Sequence, residues 1–161
     1  MTAVVAGRVI AELVERGQTL AVAESLTGGQ LASVLTGVPG ASGAFRAGVV
    51  AYATDLKHVL LGVDQQTLDQ HGAVSADTCT QMATGVAVRC SADWGIATTG
   101  VAGPDRQEGH PAGTVFVAVT GPHGSTVQPL TLAGARAEIQ RQAVAAVLNL
   151  LLDLLLDRPR G

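Results

Sequence analysis

Ser25 stands in the segment Ala23-Glu24-Ser25-Leu26-Thr27-Gly28-Gly29, between an apolar run, Thr19–Ala23, and a helical pattern that follows. A hydroxyl held at such a strand-to-helix junction can serve as a nucleophile. The helix start offers unpaired backbone N–H groups and the positive end of its dipole. Glycines let a ligand approach the backbone closely, and the same N–H groups can stabilise an oxyanion. These residue types also suit two plainer tasks, a helix N-cap and a phosphate cradle. Thr27, Gly28 and Gly29 are therefore candidates for substrate binding and for capping alike.

Hydrolysing a carboxamide without a metal needs a nucleophile, a proton acceptor and an oxyanion hole. His58, His71, His110 and His123 are scattered and lack metal-ligand spacing. No Gly-x-Ser-x-Gly elbow surrounds Ser25. Lys57, the only lysine, is the remaining base candidate. A serine–lysine pair works when the amine is neutral, and burial among neighbours such as Leu56, Val59, Leu60 and Leu61 would favour that form. On the exposed face of a short helix the same residue would snorkel to water. Tyr52, the only tyrosine, lies five residues earlier. Its phenol could relay a proton between Ser25 and Lys57, or simply pack with its hydroxyl bonded.

A second loop carries further candidates. Thr99 and Gly100 are expected to line the pocket. Gly100, Gly103, Gly109 and Gly113 can turn amides inward as an anion nest, with Arg106 as an assistant or a solvated charge. Arg136 opens the last helix, where a cation is electrostatically unfavourable. That misfit points to an anionic partner, either a substrate phosphate or carboxylate or a structural salt bridge.

The elements that must position these groups can be read from periodicity and stop signals. Helical spacing runs over Val4–Arg16 and stops at Gly17. A buried strand, Thr19–Ala23, follows, then a helix over Gly28–Thr36 and a strand over Phe45–Tyr52. Thr54 or Asp55 caps a short helix through Leu60, Thr67–His71 forms a helical turn, and Ser75 caps a helix over Ala76–Arg89. Asp93–Thr98 reads as a strand and Thr99–Ala112 as a loop. Thr114–Thr120 and Thr126–Leu132 form a hairpin about Gly121–Gly124. A long helix, Ala135–Leu156, precedes a tail, 157–161, expected to fray. Alternating strands and helices followed by a hairpin predict an α/β domain, three layers deep, with a mixed sheet spanning 1–161.

Composition bounds the rest. Of the 161 residues, 47% are hydrophobic but only 2% aromatic, so the core is aliphatic and base stacking is disfavoured. A net charge of −3 without a basic run argues against nucleic-acid binding. Cys79 and Cys90, on one helix, would lie roughly 16 Å apart along its axis, too far for a disulfide, which suits a reducing cytoplasm. No signal-peptide layout opens the chain. The apolar stretch Ala143–Leu156 is read as too short and too interrupted for a bilayer span, and as a buried helix or a subunit contact.

Several blocks together resemble one family. Glu24-Ser25-Leu26-Thr27-Gly28-Gly29 is similar to the glutamate–serine–cysteine–threonine–glycine–glycine signature of the CinA C-terminal domain family. Gly48–Tyr52 with Lys57 and Leu61-Gly62-Val63, Gly72–Ser75 with Met82-Ala83, Thr98–Pro104 with Pro111–Val115, and Gly134 with Arg136 and Arg141 resemble its later blocks in order. Departures are Leu26 for cysteine, Ala53 and Thr54 for serine and asparagine, Leu132 for phenylalanine and Ala135 for aspartate. The resemblance implies that Ser25, Tyr52 and Lys57 form the catalytic set, as nucleophile, relay and base. It implies deamidation of nicotinamide mononucleotide to nicotinate mononucleotide and ammonia through an acyl-enzyme, with no metal or organic cofactor. The expected partner is a small nucleotide, not nucleic acid or membrane, in a cytoplasmic homo-oligomer. The rival reading is a nucleotide-binding module, catalytically weak, linked to competence or DNA damage.

Overall fold

The computed structural model describes residues 1–157, so the tail beyond Asp157 lies outside the described residues. Five strands form one mixed sheet in the order β2-β1-β3-β4-β5. The strands are β1 (Leu20–Glu24), β2 (Phe45–Val50), β3 (Trp94–Gly100), β4 (Thr114–Gly121) and β5 (Gly124–Thr131). β1 pairs in parallel with β2 on one side and β3 on the other. β4 and β5 continue the sheet antiparallel, joined by a tight hairpin at Gly121 and Gly124.

Helices α1 (Thr2–Arg16), α2 (Gln30–Thr36) and α6 (Arg136–Leu156) cover one face. Helices α3 (Thr54–Leu61), α4 (Gln65–His71) and α5 (Ala76–Arg89) cover the other. The fold is thus α/β with three layers. Strand β1 shows how the sequence dictates this. Its side chains alternate across the sheet, so Leu20 and Val22 join the Leu- and Val-rich core under α1, α2 and α6, while Ala21 and Ala23 face α5. Small residues on that second face let α5 approach closely. A Cβ on Gly95 would fall 2.0 Å from the Ala83 carbonyl oxygen, so only glycine fits there.

The elements differ from the sequence reading at their ends. α2 starts at Gln30 rather than Gly28, because Gly28 and Gly29 take φ values of 57° and 101° that cannot enter a right-handed helix. β3 runs past Thr98 and takes in Thr99 and Gly100, which pair with Phe116 and Val115 of β4. These two residues read as loop because threonine and glycine carry no hydrophobic alternation. β2 ends at Val50, leaving Tyr52 in the connection. Ala53, not Thr54 or Asp55, holds the N-cap of α3, without a side-chain bond. A short 3-10 turn at Ala41–Gly43 was not anticipated. Ser75 does cap α5, its Oγ accepting from the Thr78 N–H at 3.0 Å.

Helix α6, at 21 residues, exceeds the apolar stretch read from the sequence, and by length and composition it could cross a bilayer. Here its apolar side, including Ile139, Val147, Leu151 and Leu155, is buried within the core beside α1 and the sheet. Both cysteines are free thiols.

Candidate active site

β1 sends its connection to β2 on one side while its other neighbour is β3. Crevices at the carboxyl ends of strands open at such a switch in strand order. Ser25 follows β1 directly. Its N–H donates to the Thr98 carbonyl at 3.1 Å, fastening the turn 25–29 to β3. The side chain is nearly buried, 8% exposed, and lines a cavity of about 350 Å³. Tyr52, Thr99, Gly100, Gly103, Arg106 and Arg136 share that cavity's wall.

Lys57, from α3, meets Ser25 directly. Its Nζ lies 2.9 Å from Ser25 Oγ, 2.8 Å from the Ala51 carbonyl oxygen and 3.3 Å from that of Tyr52. The residue is 1% exposed, so it does not snorkel to water. Burial lowers its pKa from 10.5 to about 8, against the opposing pull of Glu108 and Cys79. At pH 7 roughly a tenth of such an amine is neutral. A neutral amine has two N–H groups and one lone pair. The two carbonyls accept the N–H groups, and the lone pair is left for the serine hydroxyl. The geometry can therefore deprotonate Ser25.

Tyr52 stands elsewhere than expected. Its side chain is 60% exposed, and its hydroxyl accepts from Arg136 Nη2 at 3.0 Å rather than bridging Ser25 and Lys57. Its backbone carbonyl is what touches the lysine. Arg136, the first residue of α6, also donates from Nη1 to the Gly103 carbonyl at 2.7 Å. Both acceptors are neutral. Among the described residues no ion pair involves Arg136, so it has no carboxylate partner there. Its charge faces the cavity.

The remaining candidates divide. Thr99 and Gly100 line the cavity from the end of β3, and Thr99 Oγ1 donates to the Ala73 carbonyl at 2.7 Å. Thr27 faces inward, fully buried, with its hydroxyl 2.6 Å from Glu24 Oε1 and 2.9 Å from Thr98 Oγ1. Gly28 and Gly29 shape the turn but are not on the cavity wall; the Gly28 N–H closes back on the Ser25 carbonyl at 3.1 Å. Arg106 lines the cavity while donating to the Gly109 carbonyl at 2.9 Å.

Two supports escaped the sequence reading. Glu24 is fully buried, and its carboxylate accepts from Thr27 Oγ1, from the Leu31 N–H at 2.9 Å and from the Ala32 N–H at 3.0 Å. It satisfies the first turn of α2 from inside and so fixes the turn that holds Ser25. The signal was present, a carboxylate at the end of an otherwise apolar strand. Gln140 of α6 donates to the Leu26 carbonyl at 2.8 Å and accepts from Gln30 Nε2 at 3.1 Å, tying α6 to the same turn. Nothing in a helical heptad marks that residue out. Among the described residues, no three His, Cys, Asp or Glu side chains gather as a metal site would require.

A model of the CinA C-terminal domain matches residues 2–155. The chain belongs to the CinA C-terminal domain family. It is 50% identical over 155 residues to a CinA-like protein of Frankia casuarinae, covering 96% of this chain and 36% of that one. It is 43% identical to a putative competence-damage inducible protein of Bacillus subtilis, covering 88% and 34%. The chain thus spans about a third of the length of these curated relatives. Among solved structures, a CinA superfamily protein of Klebsiella pneumoniae superposes with a TM-score of 0.94 at 34% identity, covering 98% of this chain and 99% of that one. The competence/damage inducible protein CihA of Agrobacterium tumefaciens gives 0.91 at 35% identity, covering 95% and 94%. Leu26 lines the cavity, and Ala135 leaves the N-cap of α6 without a side-chain acceptor.

Proposed function

We propose that this protein is a metal-independent amidohydrolase that deamidates nicotinamide mononucleotide to nicotinate mononucleotide and ammonia. The observation that carries the reading is the 2.9 Å approach of a buried lysine amine to Ser25 Oγ. Neutral Lys57 takes the hydroxyl proton as Ser25 Oγ bonds to the carboxamide carbon. The backbone N–H of Leu26, next to Ser25 on the cavity wall, receives the oxyanion. Collapse breaks the C–N bond, and the proton held by Lys57 passes to the departing nitrogen, which leaves as ammonia. Water then attacks the acyl-serine, giving one proton to Lys57, which returns it to Ser25 Oγ as the ester C–O bond breaks; the acid so formed passes its remaining proton to the ammonia and leaves as the carboxylate.

Arg136 supports the anionic half of this substrate, because its guanidinium faces the cavity with only neutral acceptors. Tyr52, bonded to Arg136, acts on this reading at the substrate end of the cavity, and its role as proton relay gives way to direct transfer between Ser25 and Lys57. Thr99 and Gly100 line the same cavity from the end of β3.

The test is ammonia release from a panel of nicotinamide-bearing compounds, with and without chelator. Release from the mononucleotide, unaffected by chelator and abolished in Ser25→Ala, is the expected result. Nucleotide binding without release would favour the rival binding module. Full activity of Ser25→Ala would end the proposal.

A further inference from the structure

The loop between β3 and β4 carries a feature that the reaction above does not use. Gln107 and His110 exchange two backbone hydrogen bonds, at 3.1 and 2.8 Å, around the central pair Glu108–Gly109. Both central residues have positive φ, 52° and 79°. This is the backbone of a tight mirror-image turn, in which asparagine, aspartate or glycine is favoured at the first position. Glutamate there is strained, and such strain persists where something else holds it.

What holds it is visible. The Glu108 carboxylate reaches across to a different segment. Oε1 accepts from the Ala73 N–H at 3.0 Å and Oε2 from the Val74 N–H at 3.1 Å. The receiving side is shaped for it, since a Cβ on Gly72 would lie 2.4 Å from Oε2. Ala73 in turn accepts from Thr99 at its carbonyl, and Ala73 and Val74 line the cavity. The segment from Val101 to Gln107, which leads into this turn, forms the cavity's outer wall.

We propose that Glu108 is a positioning residue for the candidate site, a buckle that ties the 101–113 loop to the segment at Ala73 and Val74 and so fixes the substrate wall. This inference rests on the reading of the cavity as the substrate site. Geometry carries it: a strained turn, a carboxylate bonded to two backbone N–H groups of another segment, and a glycine that leaves room for it. The carboxylate charge also opposes the desolvation that lowers the Lys57 pKa, so its removal is expected to register at that amine as well.

The single lysine makes this directly testable. In protein labelled with 13C-lysine, one side-chain Cε resonance reports the Lys57 titration without any assay of turnover. Glu108→Asn places a favoured residue in the turn but removes the charge and the reach. It should fold as well as the parent, lower the Lys57 midpoint by about half a pH unit or more, and raise KM for nicotinamide mononucleotide about tenfold. Glu108→Gln keeps the reach and one acceptor oxygen but removes the charge. It should raise KM less than Glu108→Asn does. An unchanged KM in Glu108→Asn would overturn the proposal. A parent protein that releases no ammonia would sink the amidohydrolase reading alone, and the resonance, with weaker binding of nicotinate mononucleotide by Glu108→Asn, would still decide the role of Glu108.

Discussion

Two carboxylates brace segments that lead to the cavity, the turn after β1 and the stretch at Ala73 and Val74, and they do so in opposite surroundings. Glu24 sits fully buried at the end of β1 and takes three donors inside the protein. Glu108 belongs to an exposed turn and takes two backbone donors at the rim. Both hold backbone N–H groups around the Ser25–Lys57 pair. The contrast shows how one chemical device serves different ends. A buried carboxylate whose partners cannot reach water is a structural commitment. A rim carboxylate whose partners can turn to water is an adjustable one.

Removal of each carboxylate sharpens that contrast most. Glu24→Ala should destabilise the fold by about 3–5 kcal/mol, since it strands buried donors at α2. Glu108→Ala should change stability by no more than about 1 kcal/mol. Urea midpoints compare the two, and equal losses would break the contrast. The next effect concerns Lys57. In the unfolded chain its pKa is near 10.5 and in the folded protein about 8. Between these values the unfolded state binds more protons, so stability rises with pH across that window, by about 3 kcal/mol in all. Lys57→Met should lack that rise, and denaturation of both proteins from pH 7 to 10 measures it. In activity, kcat/KM should fall about tenfold per pH unit below about 8, as the neutral amine is lost. Arg136→Gln should raise KM more than it lowers kcat, with little effect on stability, because its acceptors are exposed or part-buried. The smallest effect is expected at Gly28. With φ 57° and open space around a Cβ, Gly28→Ala should cost only about 1 kcal/mol of backbone strain, and a shift in thermal midpoint reads it.

Much of this was legible along the chain. Ser25, Lys57, Thr99, Gly100 and Arg136 stand out by residue type and setting, and all five are on the cavity wall or in direct contact with it. The strands and helices appeared in the right order because hydrophobic period and stop signals are local properties. Element ends were less legible. The left-handed glycines at 28 and 29 delay α2, and pairing with β4 draws Thr99 and Gly100 into a strand. Thr27 reads as a substrate contact or a cap, and its hydroxyl is a buried link between Glu24 and Thr98. Tyr52 sat at the right place in the chain, yet the direction of its phenol depended on Arg136, 84 residues away.

The sequence by itself determined the α/β alternation, the aliphatic core, the apolar neighbours of the one lysine and the glycine-rich turns, because each follows from residue type and spacing. Only the tertiary structure decided that Lys57 reaches Ser25 without an intermediary, that Glu24 braces the turn after β1 and Glu108 the segment at Ala73 and Val74, and that Arg136 lacks a carboxylate partner among the described residues. Those outcomes rest on pairs separated by tens of residues, whose distances are set when helices and sheet pack and not by any local preference of the chain.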